Sequence, residues 1–260
     1  MSKLTSAAVI AGTLLSGAAQ AQEPPKPTVV LVHGAFADSS SWNGVTERLV
    51  GDGYTVVAAA NPLRGIKADA DYVSSLVASI DNPVVLVGHS YGGAVISGAA
   101  NGHRNVKALV FVAAFAPDRG EAAAELAGKF PGGSLGEALA APVKLPGGGV
   151  DLYINQSKFH AQFAHDVPAG QAALMAAGQR PIAQAALTES AGEPAWKALP
   201  SWFIYGSGDK NIPAAGLAFM AERAASKKTV VVDGASHVVM VSHPQAVADI
   251  IKQAAGHSRP

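Results

Sequence analysis

The chain has 260 residues, 49% of them hydrophobic and 15% charged, with 19 basic residues set against 19 acidic ones. That supplies apolar side chains for one large core, and the neutral balance leaves no net field to gather nucleic acid or an anionic membrane, so small molecules are the expected partners. Cysteine is absent, which excludes disulfides, thiol catalysis and a cysteine-ligated metal.

In chain order, Met1-Ser2-Lys3 leads into an apolar, small-residue run over 7–19, closed by Ala19-Gln20-Ala21 and the proline-rich residues 22–27. This is the pattern of a cleavable export signal. Cleavage after Ala21 is expected, with 22–27 as a leader and the protein exported to the periplasm or beyond. The run is shorter than the roughly 20 apolar residues that span a bilayer, so no membrane span is expected after cleavage.

From residue 28 onward, short β-branched runs alternate with longer alanine-rich amphipathic stretches, the signature of βαβ units on a parallel sheet. Strands are expected at 28–32, 55–58, 84–87, 106–113, 201–205 and 229–232. They read as continuous apolar runs, as strands covered by helices on both faces should. Helices are expected near 41–50, 68–80, 91–100, 214–225 and 245–255, the last introduced by Pro244. The fold class is therefore α/β, a mostly parallel six-stranded sheet with helices on both faces. The gap between the fourth and fifth strands is far longer than a crossover needs. It divides the chain into a core of 28–115 and 200–260 and an inserted cap of 116–199. Pro131-Gly132-Gly133 and Pro146-Gly147-Gly148-Gly149 punctuate the cap as loops.

Gly88-His89-Ser90-Tyr91-Gly92 follows one buried run and opens an alanine-rich helix. A strand–turn–helix with Gly-x-Ser-x-Gly at the turn is the context of a nucleophile elbow, in which a strained serine presents its Oγ at the helix N-terminus. A serine hydroxyl needs a base, and the base needs a third group to fix its tautomer. Groups at the C-terminal ends of parallel strands can meet there. His237, in the loop after the last strand, is the expected base. Asp209, ending Tyr205-Gly206-Ser207-Gly208-Asp209, is the expected acid, with Asp118 as runner-up. An oxyanion needs two donors: the Tyr91 N–H is one, and the Ala35 N–H in His33-Gly34-Ala35-Phe36 the other, unless its neighbour Phe36 replaces it. His33 is expected to brace that loop, and the His89 side chain to point away from Ser90. Phe36, Phe115, Phe159, Phe163 and Val238 are the expected substrate-binding residues, with Tyr153 and Met175 as further candidates. No metal or cofactor is expected.

With those residues in place, the chain resembles the α/β-hydrolase superfamily along nearly all its length after the leader. The first strand corresponds to the third of the full fold. Within the superfamily it resembles the branch holding plant methyl-salicylate esterases, hydroxynitrile lyases and small bacterial esterases. The supporting stretches are Val30-Leu31-Val32-His33-Gly34-Ala35-Phe36 followed by Trp42, Val87-Gly88-His89-Ser90-Tyr91-Gly92-Gly93, Ala113-Ala114-Phe115-Ala116-Pro117-Asp118 and Ser236-His237-Val238-Val239-Met240. The lyases of that branch carry a lysine directly after the catalytic histidine and a threonine after the histidine of the oxyanion loop. Here those positions are Val238 and Gly34. The resemblance thus implies a cofactor-independent hydrolase of small, largely apolar carboxylic esters working through an acyl-enzyme. The alternatives are lyase or perhydrolase chemistry on the same triad, or a relative that binds ligand without turnover.

Overall fold

The computed structural model describes residues 25–257. The export signal expected at 1–21 lies outside them. No helix among the described residues is long and apolar enough to cross a membrane.

The first half builds β1 (Thr28–Val32), α1 (Asn43–Gly51), β2 (Val56–Ala59), α2 (Ile66–Ala78), β3 (Val84–His89), α3 (Tyr91–Ala99) and β4 (Val106–Val112). Between β4 and the next long strand lie α4 (Ala123–Gly128), α5 (Leu135–Ala138), β5 (Val143–Lys144), β6 (Val150–Leu152), α6 (Gln156–Phe163), α7 (Ala169–Gly178), β7 (Ile182–Ala183) and α8 (Gln184–Thr188). The chain then closes with β8 (Ser201–Gly206), α9 (Ala214–Arg223), β9 (Lys228–Val232), α10 (Val239–Ser242) and α11 (Pro244–His257).

β1, β2, β3, β4, β8 and β9 form one sheet in the order β2-β1-β3-β4-β8-β9, with every neighbouring pair parallel. Helices cover both faces, so β1 and β3 are buried at every position, which is why the sequence shows apolar runs there in place of alternation. β9 lies at one edge and exposes Lys228 and Thr229, polar residues of the sort that discourage pairing with another chain. The chain steps outward from β1 to β2 and returns across it to β3. That reversal opens the crevice beyond the strand ends where α/β sheets bind ligands.

Most differences from the expected boundaries amount to a residue or two. The first helix begins later, because Asp38 accepts from the Ser40 N–H at 2.8 Å and winds Ser39–Trp42 into a 3₁₀ turn before α1. Strand β4 stops at Val112 because Ala113 has φ of 45°. The small antiparallel sheet β5-β6-β7 was not anticipated; its strands of two or three residues carry no legible alternation. Residues 146–149 make its first turn, where Leu145 N–H donates to Gly149 O at 2.8 Å and Gly148 N–H to Leu145 O at 3.0 Å.

The segment between β4 and β8 is fastened to the start of α2 and to α9, which flank the sheet. Arg64 pairs with Asp151 at 2.7 Å, and Glu189 accepts from the Ile66 and Lys67 amides at 2.8 and 3.3 Å, placing a carboxylate at the positive end of α2. Arg223 grips both carboxylate oxygens of Glu121 at 2.8 Å.

Candidate active site

Ser90 follows β3 with φ 53° and ψ −124°, a conformation a residue with a Cβ adopts only when its surroundings impose it. Those surroundings demand glycine on both sides. A Cβ on Gly88 would lie 2.5 Å from the Gly92 carbonyl oxygen, and one on Gly92 would strike that of Val32. The sequence pattern is thus the steric condition for bringing α3 down against β3 and β1.

Three strand ends converge here. His237 Nε2 lies 2.8 Å from Ser90 Oγ, and His237 Nδ1 lies 2.6 Å from Asp209 Oδ2. The other Asp209 oxygen accepts from the Asn211 and Ile212 amides at 2.7 and 3.0 Å, so the carboxylate is held in plane before it meets the histidine. With Nδ1 donating to Asp209, Nε2 is left to accept from the Ser90 hydroxyl. Asp118, the runner-up acid, is not in this cluster: it pairs with Lys197 at 2.6 Å.

Gly34 packs against the elbow so closely that a Cβ there would lie 2.6 Å from Ser90 Cβ and 2.7 Å from the His89 carbonyl oxygen. Beyond it, Phe36 has φ of 61° and donates its N–H to the Arg180 carbonyl at 2.9 Å. That bond takes up the Phe36 amide. Among the described residues the Ala35 and Tyr91 amides donate to no protein acceptor. Gly34→Ala is expected to displace this loop, lowering kcat by about 10²–10³-fold, as loss of one oxyanion donor does. A steady-state assay beside a thermal melt checks it, with the loss of rate larger than any loss of stability explains.

The contact of Tyr91 with Asp69 beside the elbow has no sequence motif. The Tyr91 hydroxyl donates to Asp69 Oδ2 at 2.8 Å, and Asp69 also accepts from the Arg64 amide at 3.1 Å. Burial holds both the Asp69 carboxyl and the Tyr91 hydroxyl above their ordinary pKa ranges. The His89 ring lies 4.8 Å from the His237 ring between centroids, and its Nε2 is 3.1 Å from the His237 carbonyl oxygen, to which it donates. Its side chain thus avoids Ser90, as expected, and packs against the His237 ring. His33 stays in its own loop, Nδ1 3.0 Å from the Gly34 oxygen.

Burial lowers the pKa of His33 and drives that of His89 well below 6.5. Below about pH 6.5 the unfolded chain binds protons that these rings refuse in the folded state, so stability falls with pH until the folded-state values are reached. Each histidine contributes a slope of up to about 1.4 kcal/mol per pH unit in that window. Asp69, with its value raised, acts in the opposite sense in the carboxylate range. Urea unfolding at pH 7.5, 6.5 and 5.5 checks this: stability is expected to drop across the series, and less steeply in His89→Gln.

A cavity of about 340 Å³ opens onto Ser90, between the sheet and the β4–β8 segment. Ala123, Ala127, Leu135, Leu139 and Leu187 give it an apolar wall, and Phe36 and Phe115 also line it. Phe159, Phe163 and Val238 do not line it and are fully buried. For the two phenylalanines the reason is that α6 turns its rings inward, Phe163 packing at 5.2 Å on the His237 ring and at 4.9 Å on Phe159; Val238, directly before α10, is part of the hydrophobic core. Met175 lines a separate cavity of about 290 Å³, with Phe36 common to both, and Tyr153 lines a third, away from Ser90.

An α-hydroxynitrile lyase from Arabidopsis thaliana is 27% identical over 242 residues, covering 85% of this chain and 93% of that protein. A pimeloyl-[acyl-carrier protein] methyl ester esterase from Aeromonas hydrophila subsp. hydrophila is 28% identical over 247 residues, covering 88% and 96%. The crystal structure of polyneuridine aldehyde esterase superposes with a TM-score of 0.76 at 20% identity, over 88% of this chain and 98% of that one. The sequence profile of the Alpha/beta hydrolase family matches residues 29–250, and with the sheet order and the strand-end site already in place, the chain belongs to that family.

Proposed function

We propose that the protein is a carboxylic-ester hydrolase working through an acyl-enzyme on Ser90, without a cofactor. The observation that carries this reading is the unbroken relay from Asp209 through His237 to Ser90 at 2.6 and 2.8 Å, opening onto an apolar cavity.

His237 Nε2 takes the Ser90 proton as Oγ bonds to the ester carbonyl carbon. The carbonyl π pair moves onto oxygen, and the Ala35 and Tyr91 amides stabilise that charge. Collapse expels the alcohol, protonated by His237. Water then gives a proton to the same nitrogen and attacks the acyl carbon; the second collapse breaks the bond to Oγ, which regains its proton as the acid leaves. Asp209 holds the imidazole tautomer and its cation throughout. Residues 116–199 act as the cap that keeps bulk water from the acyl group.

Cyanohydrin cleavage is disfavoured by Val238, which is fully buried and apolar where a lysine would serve departing cyanide. The lyase and the esterase that this chain resembles divide between these chemistries, and the esterase side suits this wall. A panel of p-nitrophenyl and methyl esters graded by acyl length, run beside mandelonitrile, tests the choice. Ester turnover with none of mandelonitrile is expected; the reverse would overturn the reading. The segment 1–21 supports export, which N-terminal sequencing of the recovered protein checks through a first residue of Gln22.

A further inference from the structure

Three residues lining the cavity carry polar side chains: Ser90, Tyr91 and Asn211. The Ser90 hydroxyl faces His237 and the Tyr91 hydroxyl is bound to Asp69. Asn211 is only 5% exposed, and polar side chains buried to that degree ordinarily have their hydrogen-bonding atoms matched. Its Oδ1 accepts from Gln162 Nε2 at 2.9 Å. Its Nδ2 donates to no acceptor among the described residues.

The network decides which end of the amide is left over. Gln162 Nε2 also donates to the Lys210 carbonyl at 3.0 Å, and Gln162 Oε1 accepts from Ser134 Oγ at 2.8 Å. Flipping Gln162 would set two acceptors against each other at Lys210. Flipping Asn211 would set its NH₂ against that of Gln162, two donors face to face. So Oδ1 belongs to Gln162 and the NH₂ is the end left for the cavity. The Asn211 backbone N–H is bonded to Asp209 at 2.7 Å, which fixes this donor relative to the triad.

We infer that Asn211 is a specificity contact, its Nδ2 donating a hydrogen bond to an acceptor oxygen that the substrate carries apart from the ester Ser90 attacks. The inference rests on the ester-hydrolase reading and narrows it to apolar esters bearing a second oxygen, as ketone, ether or further ester, at one depth along the chain. Discrimination comes from both sides. A pure hydrocarbon chain leaves the Asn211 donors dry and unpaired, whereas an oxygen placed anywhere else along the alanine and leucine wall loses its hydration for nothing.

The test is binding to Ser90→Ala protein, in which turnover is removed. Methyl esters of medium-chain acids are compared by calorimetry with their keto counterparts, the ketone moved one carbon at a time. One keto position is expected to bind about 5- to 10-fold more tightly than the plain ester, the scale of one net hydrogen bond. That ratio should fall to about 1 or below with Asn211→Leu, since the variant has no donor left and the ketone loses its hydration against the leucine. With Asn211→Asp it should fall below unity, because this isosteric change keeps the acceptor for Gln162 and puts an acceptor where the donor was. The aspartate variant carries the test alone if the leucine does not fold. A parent protein that prefers no keto position, or a preference that survives the aspartate substitution, overturns the inference. Failure of the hydrolase reading is seen separately, as absence of ester turnover by the wild-type protein.

Discussion

Ser90→Ala is expected to lower kcat for any accepted ester by about a millionfold while leaving the melting temperature nearly unchanged. The asymmetry follows from what the side chain touches. Its hydroxyl contacts His237, and the positive φ is imposed by the elbow's glycines and by α3, which the substitution does not alter. The oxyanion amides and the apolar cavity remain, so the residual rate should still exceed that of water by about 10³–10⁴. Single-turnover kinetics with a chromogenic ester, beside a thermal melt, checks both halves. A variant retaining a tenth of the activity would remove Ser90 from the reaction.

The second large effect is expected at Asp209→Asn, where kcat should drop by about 10⁴-fold with little change in KM. The asparagine Oδ1 can still accept from the Asn211 and Ile212 amides, so its NH₂ is turned toward His237 Nδ1. Nδ1 then becomes the acceptor and the ring proton moves to Nε2. That nitrogen can no longer take the Ser90 proton. The same measurement on Asp118→Asn should show little change, because Asp118 pairs with Lys197 at 2.6 Å and contacts no member of the triad. Equal losses in the two variants would contradict the assignment.

The sheet and the meeting of Ser90, Asp209 and His237 are legible in the sequence for one reason. The central strands β1, β3 and β8 are buried at every position and read as apolar runs, and Ser90, Asp209 and His237 each stand just beyond a strand end. Ser90, Asp209 and His237 could be ordered by that rule before any distance was known. Gly34 and the elbow glycines were legible because close backbone approach tolerates no other residue.

What could not be read are contacts made by chance of packing between distant segments. Phe36 and Arg180 meet through backbone atoms, which leave no mark on residue choice. Tyr91 and Asp69 meet between α2 and α3, and neither residue is part of a motif with the other. The sequence alone cannot tell the rings of α6 from cavity lining, because aromatic residues suit both a pocket and a core; Phe163 faces His237. Asn211 belongs to no motif, and its partner Gln162 comes from α6, far away in the chain.

The central claim is that Ser90 is a nucleophile activated by His237, and covalent labelling tests it most directly. The wild-type protein is treated with a fluorophosphonate at neutral pH, digested and examined by mass spectrometry. The predicted result is a single phosphonyl adduct on the peptide containing Ser90, absent from Ser90→Ala and slowed about 10⁴-fold or more in Asp209→Asn. No adduct on the wild-type protein, or equal labelling of Ser90→Ala, would contradict it.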